Sequence, residues 1–146
     1  MLFRSPQAEA KPVLQRLEFT INGMLITPDV CIEVSIRNSD AILDQLEVVL
    51  GVHNPGDTIA NWWDWPLGLI LPEHLPPIHS GVQLQDKRFL HDLGTIGRLL
   101  PDQWDKVRLT LSLHAVAHCR GQEIQAELKV FTFLGPLSTV FSLKFV

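Results

Sequence analysis

The sequence predicts an all-β fold: an antiparallel two-sheet β-sandwich of immunoglobulin-like type, with about seven or eight strands and at most one or two short helices. Three observations carry that expectation. Short segments that alternate apolar and polar residues recur along the chain, separated by turn signals such as Asn22-Gly23, Asn54-Pro55-Gly56, Arg120-Gly121 and Gly135-Pro136. No βαβ unit with a long helix, no heptad and no internal repeat interrupts them. The chain has 146 residues, 46% hydrophobic and 19% charged, which is enough for a core that needs no staples.

Residues 1–12 read as a flexible, polar lead-in and 13–146 as a single sandwich domain. Leu17-Glu18-Phe19-Thr20-Ile21 alternates and runs into Asn22-Gly23, the dipeptide suited to a two-residue hairpin because both positions take positive φ. Met24-Leu25-Ile26 is the returning strand. Val30 to Arg37 alternates cleanly, and Leu46 to Val52 is apolar enough for a central strand. One helical turn fits between them, at Ala41 to Leu46.

Residues 58–80 read as a long loop. Pro66, Pro72, Pro76 and Pro77 exclude a helix or a central strand there. Gly81 to Gln85 restarts a strand. Apolar residues at Phe89, Leu90, Leu93, Ile96, Leu99 and Leu100 suit a short helix over 88–100. Trp104 falls where an aromatic plug closes a sandwich. Val107 to Cys119 then reads as one long strand, and strands at Ile124 to Val130 and Leu137 to Val146 complete a three-stranded antiparallel meander. The last strand ends on Phe141, Leu143, Phe145 and Val146, so it belongs inside a sheet or completes a neighbour's.

Charge and composition narrow the function. The net charge is −4 and the twelve Lys and Arg residues are scattered singly, which argues against nucleic acid and against an anionic membrane surface. No apolar run approaches the length of a membrane span and the N-terminus lacks a signal-peptide pattern, so a cytoplasmic protein is expected. The strand phases set Cys31 outward and Cys119 inward, which predicts two free thiols. Low charge and high apolar content favour a protein partner or a homo-oligomer.

Chemistry-bearing residues are sparse. On a strand, His114 and His118 stand roughly 13 Å apart and cannot share one metal ion. His53, His74 and His79 with Asp57 make a loop-borne set from which a metal-dependent enzyme would have to be built, although no spacing demands it. No nucleophile elbow, phosphate loop or His-Glu-x-x-His motif occurs. Among the carboxylates, Asp64 alone sits among aromatics that would desolvate it.

The most distinctive feature is Trp62-Trp63-Asp64-Trp65. Adjacent tryptophans on an extended segment face opposite ways, so at least one points away from the core. The expectation is a non-catalytic structural or adaptor subunit, with no cofactor and no metal. Trp62, Trp63, Asp64 and Trp65, continued by Leu69, Ile70 and Leu71, would fill pockets on a protein partner or a second copy. The alternative is a small-ligand or carbohydrate-binding module that uses the same tryptophans, with Asp64 as a hydrogen-bonding group. The lack of tyrosine and of a secretion signal weighs against it.

Overall fold

The computed structural model describes residues 17–37, 44–59, 65–132 and 135–146. Two sheets face each other and bury a common apolar core, which makes the fold an all-β sandwich. One sheet has four strands in the order β2-β1-β4-β8, built from β1 (Glu18–Ile21), β2 (Met24–Leu25), β4 (Gln45–His53) and β8 (Trp104–Ser112). The other has six in the order β3-β10-β9-β5-β7-β6: β3 (Cys31–Val34), β5 (Trp65–Leu71), β6 (Gly81–Gln83), β7 (Phe89–Ile96), β9 (Glu123–Thr132) and β10 (Gly135–Phe145). A single short helix among the described residues, α1 (Leu113–His118), links β8 to β9. The pairing is mixed, because β3 runs parallel to β10. The two-sheet arrangement is thus established, while the immunoglobulin-like detail is not carried by this strand order.

Local chemistry explains the elements that form as expected. Asn22 (φ 48°) and Gly23 (φ 85°) supply the two positive φ values that close the β1–β2 hairpin. In β4, Leu46, Val48, Leu50 and Val52 point into the core, while Gln45, Glu47, Val49, Gly51 and His53 form the outer face. β10 lies between β9 and β3, so the apolar C-terminal strand is internal to the chain's own sheet.

Four expectations are corrected. Residues 65–71 are a central strand rather than part of a loop. Pro66 is tolerated because it sits at the strand's start, before Leu67, where pairing with β9 begins. The segment 88–100 contains a strand rather than a helix. A β-bulge at Leu93-Gly94 (Gly94 φ 81°, its N–H donating to Asp92 Oδ1 at 2.8 Å) shifts the register against β5. That extra residue puts Leu93 and Ile96 on the same side, a spacing of three that imitates a helix.

The strand from Val107 ends at Ser112 and the chain turns into α1. Its core contacts pass to Val116 and Cys119, three residues apart as a helix requires. Ser112 caps the helix, accepting from the Ala115 N–H at 3.4 Å. The expected C-terminal meander is therefore split: β8 pairs with β4, while β9 and β10 pair in the opposite sheet. Both cysteines are free, Cys119 buried and Cys31 half-buried. No helix among the described residues is long and apolar enough to cross a membrane.

Candidate functional site

The expected interaction segment divides. Trp62, Trp63 and Asp64 lie outside the described residues. Trp65 opens β5, opposite Ile96 of β7. Leu69 and Leu71 point into the core and Ile70 is buried on the opposite side of the strand, so all three are committed to the chain's own fold and leave nothing for a partner. Their apolar run reflects a strand covered on both faces.

The histidines also separate. His74, His79 and Asp57 are exposed, and among the described residues no group of three or more His, Cys, Asp or Glu is placed to hold a metal ion. His114 and His118 are the opposite case. Because α1 replaces a strand there, they stand on adjacent helical turns with their Nε2 atoms 3.2 Å apart.

The site the sequence reading missed is the outer face of the four-stranded sheet. Trp104 is no plug: it begins β8 pointing outward and is 47% exposed. Its ring stacks on His53, its cross-strand partner on β4, with centroids 4.3 Å apart and planes 14° from parallel. His53 is fixed in turn. Its Nε2 meets Asp102 Oδ1 at 2.8 Å and its Nδ1 lies 3.5 Å from Glu18 Oε1. Asp102 is brought there by a turn tied to the completely buried Asn54. The Asp102 N–H donates to Asn54 O at 2.8 Å and the Asn54 N–H to Gln103 O at 3.1 Å.

Gly51 makes room for the indole. A Cβ there would approach Thr20 Oγ1 to 2.5 Å and the six-membered ring of Trp104 to 3.3 Å. The tryptophan therefore sits at the edge of an open depression of about 850 Å³ whose other lining side chains include Asn22, Arg37, Glu47, Val49 and Lys106. Glu47 is paired with Arg108 at 3.3 Å. The surface is a half-exposed indole beside apolar Val49 and hydrogen-bonding groups of both charges. A signal for it was present in the sequence: Trp104 and Lys106 share the outward parity of β8 opposite Leu109 and Leu111.

No protein-family model matches the chain, and no curated protein matches it either. Among solved structures it is similar to a GH20 exo-β-N-acetylglucosaminidase from Vibrio harveyi in complex with N-acetylglucosamine, and to an inactive mutant of that enzyme. Each shares 12% identity at a TM-score of 0.35, over 90% of this chain and 18% of that one. This chain thus spans less than a fifth of those enzymes' length, and a superposition so loose carries no function across.

Proposed function

We propose that the chain is a non-catalytic binding domain whose ligand is a carbohydrate held on the outer face of the four-stranded sheet. The observation that carries this reading is the Trp104 ring, braced on His53 and left with exposed surface beside a depression of mixed apolar and polar lining. A pyranose ring has an apolar C–H face and a polar edge. The indole matches the first, and Asn22, Glu47 and Lys106 the second. A protein hot spot wants a desolvated apolar centre with charges at its rim, whereas here Arg37, Glu47 and Lys106 line the depression together with Val49 and Trp104.

The adaptor reading is supported elsewhere, by an apolar depression of about 250 Å³ over Gly68, lined by Pro66, Val82, Leu90 and Phe131. It adjoins β6, an exposed edge strand on which Val82 is 57% accessible.

Glycan-array screening and calorimetry on wild type and Trp104→Ala separate the two. Glycan binding that falls by roughly two- to tenfold in the folded variant, the loss of a stacking contact of about 0.5–1.5 kcal/mol, is the expected result. An array with no retained glycan, together with an oligomer in light scattering that Val82→Asp dissociates, overturns the carbohydrate reading in favour of the adaptor.

A further inference from the structure

We propose that His114 and His118 form a two-histidine chelate for a divalent late transition-metal ion such as Zn²⁺, Ni²⁺ or Cu²⁺. The site is independent of the Trp104 face.

The construction begins with the helix. Val116 and Cys119 fasten one side of α1 into the core, and Ser112 fixes its first turn. That leaves His114 and His118 on the solvent side, one turn apart, with rings 4.6 Å between centroids and 88° between planes. Their Nε2 atoms approach to 3.2 Å. At a metal–nitrogen distance of about 2.0–2.1 Å, nitrogens 3.2 Å apart subtend about 100° at the ion, between the octahedral and tetrahedral values.

In the metal-free protein this approach is a hydrogen bond, one ring donating Nε2–H to the lone pair of the other. Coordination needs both Nε2 lone pairs. The donor ring supplies its own by carrying its proton on Nδ1 instead, so the neutral pair becomes a bidentate ligand with no net change in charge. Imidazole nitrogen selects zinc, copper and nickel over magnesium or calcium. Water takes the remaining positions.

The test is calorimetric titration of the full chain with zinc chloride near pH 7.5, on wild type, His114→Ala, His118→Ala, His79→Ala and Cys31→Ser. One ion per chain is expected in wild type. Removing either helix histidine abolishes the chelate and weakens binding by on the order of tenfold or more, because the second ligand no longer acts at high effective concentration. His79→Ala and Cys31→Ser bind as wild type does. Both helix histidines are exposed, so circular dichroism shows the variants folded. Zinc also raises the melting temperature of wild type and not of His118→Ala. Wild type that binds no tighter than His114→Ala, or binding lost in Cys31→Ser instead, overturns the proposal.

Discussion

His91 brings a titratable ring into an apolar core. It is 1% exposed on β7, opposite Leu69 of β5, and its Nε2–H donates to the Leu75 carbonyl at 2.9 Å. Nδ1 is buried without a partner, so the ring is held as the neutral Nε2–H tautomer. Burial pushes its pKa below the ordinary histidine value, outweighing the carbonyl, which favours the charged form. A depressed folded-state pKa means that the unfolded chain takes up the proton first. The contribution to stability is therefore full above about pH 6.5, the ordinary histidine value, and is lost as pH falls below it. The prediction is a urea midpoint that declines between about pH 7 and pH 5, with a slope that flattens in His91→Gln. That variant costs about 1–3 kcal/mol at neutral pH through the disturbed buried hydrogen bond. Comparison with wild type removes the part due to the other five histidines, and an unchanged slope would assign the pH dependence to them. A histidine between Leu90 and Asp92 carries no sequence mark of burial, because its partner is a carbonyl sixteen residues away.

At the scale of elements, β5 shows what the sequence conceals. Leu69 pairs with His91 on one side and Leu128 on the other, so it stands in the middle of the six-stranded sheet with its side chain 2% exposed. Leu69→Ala is expected to cost about 2–5 kcal/mol in urea denaturation, the range for a large-to-small change in a packed core. Val82→Ala, on the edge strand β6, is expected to change stability by less than about 0.5 kcal/mol. Equal costs would mean that β5 is not the centre of its sheet. Strands announced by alternation, an apolar run or a hairpin turn were legible: β1 with β2, β3, β4, and the β9–β10 pair. β5 was hidden because prolines at both ends outweighed its apolar run, β7 because its bulge imitates helical spacing, and α1 because Leu113, Ala115 and Ala117 prolong the parity of β8. Ser112 followed by Leu113-His114-Ala115 is an N-cap signal that marks the helix start. It is also the signal that brings His114 and His118 together, and the outward parity of Trp104 is its counterpart for the other site.

Across the whole molecule, the chain passes from one sheet to the other five times, between β2 and β3, β3 and β4, β4 and β5, β7 and β8, and β8 and β9. Separating one sheet would therefore disturb its partner, and the two are expected to unfold as one unit. The cysteines report on this directly. Cys119 closes α1 beneath the core at 1% exposure, its Sγ–H donating to Val116 O at 3.3 Å, and burial raises its pKa. Cys31 lies half-buried on the outermost strand of the six-stranded sheet, its thiol raised first by desolvation and then by Glu123. Thiolate is the reactive form, so both are slowed in the native state, but Cys31 remains reachable without unfolding. Alkylation followed by mass spectrometry in increasing urea should label Cys31 at a rate almost independent of denaturant. Labelling of Cys119 should rise with the same urea dependence as global unfolding, because reaching it requires parting the sheets. Cys119 labelling that is fast in water and insensitive to urea would place α1 on a separate, weaker unit. The two-histidine site on its solvent side would then move with that unit rather than with the sandwich.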